Sequence, residues 1–94
     1  MIDNRARVAR IRECLQSLQP LLLEVVDDSG KHVGHEGARD GRGHFSVDIV
    51  SADFAGLAPL ARHRRVYAAL GELMHTDIHA LQIRARTPAE AHQA

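Results

Sequence analysis

Histidine is the residue type in this sequence with the greatest capacity for chemistry. The 94 residues include seven histidines, whereas cysteine occurs once and tryptophan is absent. Neutral imidazole is a good ligand for iron, zinc and copper, and it titrates near physiological pH. Because the single cysteine, Cys14, can form neither an internal disulfide nor a metal site by itself, we expect any metal chemistry to depend on histidine.

Two other histidine patterns are weaker signals. The spacing His75-x-Asp77-x-His79 is compatible with a zinc hydrolase, but it spans a predicted helix end and strand start and lacks a third well-placed ligand. His63 falls on the apolar face of a predicted helix, where a core histidine with hydrogen-bonded nitrogens is the simpler interpretation. The sequence contains no clear nucleophile–base pair, phosphate loop or paired carboxylates, so we do not expect an enzyme.

A cluster of arginines is the second candidate site. Arg62, Arg64 and Arg65 lie in one segment and could contact the phosphates of a nucleic acid. The twelve basic and twelve acidic side chains cancel to a formal net charge of +0, so the chain has no global basic field to attract DNA. A solvated helix face is the ordinary alternative, and DNA binding is a hypothesis about a local patch.

Apolar periodicity predicts the elements that would position these residues. A helix over 4–18 ends before Pro20, and a second helix over 59–74 begins at Pro59. Alternation predicts strands over 21–27, 44–51 and 78–86. The side chains expected to face the core are Leu21, Leu23 and Val25 in the first strand, Phe45, Val47 and Ile49 in the second, Leu81, Ile83 and Ala85 in the third on the same face as His79, and Leu60, Val66, Tyr67, Leu70, Leu73 and Met74 in the second helix.

The connection over 28–43 contains five of the seven glycines and has no apolar period. We expect a long, flexible hairpin loop there, a short helix after Thr87-Pro88, and a tail at 91–94. The length of 94 residues fits one domain over 1–94. Together these elements predict an α+β two-layer sandwich in which a three-stranded mixed sheet is covered by helices on one face.

Four sequence blocks carry a resemblance to a known family. The blocks LEVVDDSGKHVGH, HFSVDIVSADFAG, LARHRRVYAAL and IHALQIRARTPAE occur in the order and spacing of the BolA family. The resemblance covers about residues 15–90. It implies a class II KH-like fold with the order α-β-β-α-α-β and a short C-terminal helix. The Gly-x-x-Gly loop of true KH domains is missing, since GLAP stands at 56–59, and an RNA clamp of that kind is not expected.

The resemblance also implies two functions. The first is an adaptor that binds a monothiol glutaredoxin and shares a [2Fe–2S] cluster with that protein and its glutathione. The second is DNA binding and transcriptional regulation, for which the arginine-rich helix over 59–74 is the candidate surface. The adaptor would be a monomer alone and a heterodimer with its partner, and the isolated chain would hold no cluster.

Carried onto this sequence, the resemblance implies two histidine ligands. His79 matches the histidine of the family's IHAL block. The second ligand lies in the hairpin loop, where His32 is the equivalent by position and His35 and His44 are competitors. The chain departs from the family in having ARDGRGHF before the second strand and in lacking a tryptophan near its C-terminus. With no apolar run of transmembrane length and no signal-like N-terminus, we expect a cytoplasmic protein.

Overall fold

The structure is a computed structural model, and it describes residues 4–29 and 42–92. Within these ranges the chain forms four helices and three strands. In chain order they are helix α1 (Asn4–Leu15), strand β1 (Leu22–Asp27), strand β2 (Gly43–Val50), helix α2 (Pro59–Leu70), short helix α3 (Leu73–Thr76), strand β3 (Ile78–Arg86) and short helix α4 (Pro88–His92), with 3-10 turns at Gln16–Leu18 and Ala52–Phe54.

The three strands form one mixed sheet in the order β1-β2-β3. β1 pairs with β2 in antiparallel fashion, and β2 pairs with β3 in parallel. A parallel pair requires a crossover connection, which here contains α2 and α3. The predicted α+β architecture with a three-stranded mixed sheet is confirmed.

The core lies between the helices and one face of the sheet. In β2 the alternation is complete, because Phe45, Val47 and Ile49 are buried while the residues between them are half-buried on the opposite, uncovered face. The helices and the first 3-10 turn contribute Ile11, Leu15, Leu18, Val66 and Leu70, and Phe54 and Ile78 complete the buried cluster. The predicted core face of β2 is therefore confirmed.

Several details of the predicted apolar stripes were wrong. Leu21 precedes β1 and is 73% exposed, and in α2 Leu60 and Tyr67 are 62% and 41% exposed. The helix predicted over 59–74 is two helices, because Gly71 ends α2 with a φ of 54°. Glycine adopts a positive φ at little cost, so the helix can end at Gly71 and α3 begins as a separate helix at Leu73.

A register step separates the first two residue pairs of β2 and β3. Gly43 is opposite Ile78, whereas His44 is opposite Ala80, so His79 is an additional residue in β3. Such a β-bulge bends the strand and redirects a side chain. Glycine at position 43 also avoids a steric conflict, since a Cβ there would lie 2.6 Å from atoms of the buried Phe45 ring.

None of the helices within the described ranges combines the length and the apolar character that a membrane span requires.

Candidate metal-ligand site

His79 lies on the surface at the bulge in β3. Simple alternation places it on the same face as Leu81, Ile83 and Ala85, and this prediction was wrong. The additional residue lets Ile78 take the inward position, where it is 1% exposed, and leaves the His79 side chain exposed. The imidazole is therefore held by a rigid strand and remains accessible to another molecule.

His44 is the described histidine that lies against His79. It is half-buried on the uncovered face of β2, and its ring centroid is 5.0 Å from that of His79, with the ring planes inclined at 47°. The sheet brings the two residues together because β2 and β3 are parallel neighbours that start at the same edge. Two imidazole rings are thus brought together within a small volume.

Arg42 contacts the His79 ring from the chain segment just before β2. Its Nη2 atom lies 3.4 Å from Nδ1 of His79, and its Nη1 atom donates to the carbonyl oxygen of His75 at 3.5 Å. Sequence reasoning missed this residue, because a side chain 37 positions away from its partner leaves no mark in local periodicity.

An ion pair fixes the backbone just before His79. Asp77 is 3% exposed, and its carboxylate accepts a hydrogen bond from Nε of Arg7 at 3.2 Å and lies 3.9 Å from Nη1 of Arg10. The hydroxyl of Thr76 donates to the same carboxylate at 2.5 Å. The Thr76 hydrogen bond, followed by the Arg7 contact, lowers the pKa of Asp77. Since Gly43 N–H donates to the Asp77 carbonyl at 3.0 Å, this residue joins α1, β2 and β3.

The histidines predicted for the hairpin loop are outside the described residues. His32 and His35 both fall in the range 30–41, so the predicted pairing of His79 with either of them remains a prediction. Of the sequence candidates, His44 and His79 are the two that the described structure brings together.

Two imidazoles are suited to a shared metal but not to holding one alone. Within residues 4–29 and 42–92, no group of three or more histidine, cysteine, aspartate or glutamate side chains is arranged to hold a metal ion. Two histidines on one iron are an established ligand set for a [2Fe–2S] centre. The residues present therefore fit a cluster whose remaining ligands come from a second molecule.

The three candidate arginines of α2 differ in their surroundings. Arg62 is engaged within the protein: its Nε donates to the Leu57 carbonyl at 2.8 Å, its Nη1 donates to the Ala85 carbonyl at 3.1 Å, and its guanidinium pairs with both carboxylate oxygens of Glu90. Arg64 and Arg65 are exposed. Of the three arginines, Arg64 and Arg65 are therefore the ones whose side chains are accessible to another molecule.

The Arg62–Glu90 pair attaches α4 to the rest of the fold. Glu90 also accepts a hydrogen bond from the backbone N–H of Thr87 at 2.8 Å, while the Thr87 hydroxyl accepts from the Glu90 N–H at 3.2 Å. This reciprocal pair is a capping box at the start of α4. The Arg62 hydrogen bond, together with that from Thr87, lowers the pKa of Glu90 to about 2.

Comparison with known proteins gives one consistent result. A family model described as BolA-like protein matches residues 15–90. The chain is 45% identical over 94 residues to the chloroplastic protein BOLA1 of Arabidopsis thaliana, covering 96% of this chain and 58% of that protein. It is 47% identical over 83 residues to BolA-like protein 1 of Homo sapiens, covering 87% of this chain and 58% of that protein. The chain thus spans little more than half the length of these two relatives.

A bacterial relative and two solved structures extend the comparison. The chain is 42% identical over 82 residues to the DNA-binding transcriptional regulator BolA of Escherichia coli K12, covering 86% of this chain and 75% of that protein. The BolA domain of SufE1 from Arabidopsis thaliana matches with a TM-score of 0.79 and 43% identity, covering 90% of this chain and 95% of that one. BolA1 from the same plant matches with a TM-score of 0.76 and 42% identity, covering 95% and 98%.

Proposed function

The chain belongs to the BolA-like protein family, and from this premise we propose that it is an adaptor that binds a monothiol glutaredoxin and co-ligates a shared [2Fe–2S] cluster. The observation that supports the proposal most directly is the exposed imidazole of His79 in ring contact with His44. We infer a binding role, in iron–sulfur trafficking or in iron or redox sensing, and not a catalytic one.

The chemistry of the proposal follows from the ligand type. Histidine on one iron raises the reduction potential of a [2Fe–2S] centre above that of an all-cysteine centre. A neutral imidazole is also lost on protonation, whereas a thiolate carries its own charge to the metal. The bonds between the cluster iron and the histidines of this chain would therefore break more easily than the bonds to the thiolates of the partner. That property suits transfer or sensing more than permanent storage.

We assign His79 as the first ligand and a histidine of the β1–β2 segment as the second. His32, His35 and His44 are the three choices, and His44 is the one whose position relative to His79 is described. Glutaredoxin and its glutathione would supply the remaining thiolates, so that the complex is a heterodimer while the chain alone is a monomer. The cytoplasm remains the predicted compartment.

The test is spectroscopic. The chain is mixed with a cluster-loaded monothiol glutaredoxin, and visible absorption and circular dichroism are recorded together with the molar mass by light scattering. We expect a changed spectrum and a 1:1 complex for the natural sequence. His79→Ala should abolish the spectral change, and His44→Ala, His32→Ala and His35→Ala identify the second ligand.

A control variant separates ligand loss from unfolding. His63→Ala removes a half-buried histidine of α2 and should leave the spectral change intact. If the His79→Ala and His63→Ala variants both give the same spectral change as the natural sequence on mixing with the cluster-loaded glutaredoxin, the adaptor proposal is wrong.

DNA binding is the second candidate function, favoured by the name of the Escherichia coli relative. Arg64 and Arg65 are exposed on α2 and would contact phosphates. Arg64→Ala and Arg65→Ala should each weaken the complex seen in a gel-shift experiment. Each should also reduce the slope of log binding constant against log salt concentration by about 1, the loss of one phosphate contact. Arg5→Ala, an exposed arginine of α1, is the matched control. Absence of a complex at near-physiological salt would remove this candidate.

A further inference from the structure

The guanidinium of Arg42 bridges two acceptors at the beginning of β3. Nη2 lies 3.4 Å from Nδ1 of His79, and Nη1 lies 3.5 Å from the carbonyl oxygen of His75. A guanidinium group only donates hydrogen bonds, so Nδ1 of His79 has to be the acceptor. The lone pair on Nδ1 is thereby occupied.

This polarity is the opposite of what a metal-ligating histidine requires. Such a ring binds the metal through one nitrogen and donates the N–H of the other to a carbonyl, a carboxylate or water. If Nδ1 is the ligand atom, the guanidinium occupies its lone pair. If Nε2 is the ligand atom, Nδ1 carries the proton and faces a group that cannot accept it. In either case the Arg42 contact and metal binding at His79 exclude each other.

We propose that Arg42 is a positioning residue that latches the His79 ring and has to release it before the ring ligates a metal. The inference rests on the proposed function, in which His79 is the first ligand. The latch holds the exposed ring in one orientation and lowers its affinity for free cations. Release would leave the Arg42 charge next to the thiolate-bearing partner, where a positive group is electrostatically favoured.

A test on the isolated chain uses Ni²⁺, which imidazole binds well. Line broadening of the His44 ring signals in proton NMR is followed during a Ni²⁺ titration. Arg42→Ala should raise the apparent affinity about fivefold, equivalent to the ~1 kcal/mol of one hydrogen bond. Arg84→Ala, which removes a positive charge from an exposed side chain of β3, is the control and should change the affinity less than twofold.

A double-mutant cycle separates the latch from simple charge repulsion. The effect of Arg42→Ala should disappear in a His79→Ala background, because the latch acts through that ring. An equal gain in both backgrounds, or no gain in either, would overturn the latch. The proposed function fails separately: it is overturned if the His79→Ala variant still gives the same spectral change as the natural sequence on mixing with the cluster-loaded glutaredoxin, whatever the Ni²⁺ result.

Discussion

Replacing Asp77 by asparagine tests how the start of β3 is held. The carboxylate is 3% exposed and is paired with Arg7, whose side chain is 11% exposed. Asp77→Asn keeps the shape of the side chain but removes its charge, so the Arg7 guanidinium loses its ion pair, while its 3.1 Å hydrogen bond to the Asn4 side chain is unaffected. Breaking a buried pair by removing one partner costs about 3–5 kcal/mol.

We expect a loss at the low end of that range, ~3 kcal/mol at pH 7, because Asn4 still contacts Arg7 and because Arg10 is half exposed. Urea unfolding measures this difference. Asp53→Asn, which replaces an exposed aspartate of the turn after β2, is the matched control and should change stability by no more than about 0.5 kcal/mol.

The pH dependence gives the same prediction an independent check. The pKa of Asp77 is lowered in the folded state from its ordinary value of 3.8, so the unfolded chain takes up the proton first as the pH falls. The stability that Asp77 contributes is therefore complete above pH 3.8 and is lost as the pH falls through the folded-state pKa. The wild-type advantage should be the same at pH 7 and pH 5 and smaller at pH 3. A loss at pH 7 no larger than that of the control would refute the reasoning.

Three further substitutions test the packing around the site. Gly43→Ala places a Cβ 2.6 Å from the Phe45 ring and should lower the free energy of unfolding by about 1–3 kcal/mol, measured in urea; a neutral effect would mean that the Phe45 ring moves aside at little cost. Ser51→Ala removes a buried hydroxyl that donates at 2.5 Å and caps a turn, so we expect a loss of ~1–2 kcal/mol in thermal unfolding, and an unchanged midpoint would contradict it. Glu90→Gln should speed amide hydrogen exchange in α4, because it weakens the pairing with Arg62. Since the pKa of Glu90 is about 2, the slower exchange of the natural sequence should persist down to that pH. Equal exchange rates in the two proteins would show that α4 packs on the fold without this pair.

Sequence periodicity was sufficient where packing follows a regular repeat. The strict alternation of Phe45, Val47 and Ile49 predicted the core face of β2, because a strand that is covered on one side alternates by geometry. The order of elements followed from the same repeats and from Pro59. These predictions needed only neighbouring residues.

The site was harder to predict because it depends on departures from those repeats. The bulge that exposes His79 lies next to the buried Ile78 and opposite Gly43, and an alternation pattern does not reveal such an additional residue. The helix predicted over 59–74 is interrupted at Gly71, which has a positive φ. The ion pair between Arg62 and Glu90 joins residues that are 28 positions apart in the sequence. Long-range contacts of this kind are visible only after the chain is folded.

The bulge has a consequence for how this surface can change. Position 79 belongs to the backbone of β3, but its side chain takes no part in the packing of the interior, which Ile78 completes instead. Exchange of the imidazole for a thiolate would therefore carry little penalty for folding, while it would alter the charge and softness of the donor offered to a metal. The electronic character of the side chain at this position can thus be changed independently of the fold that presents it.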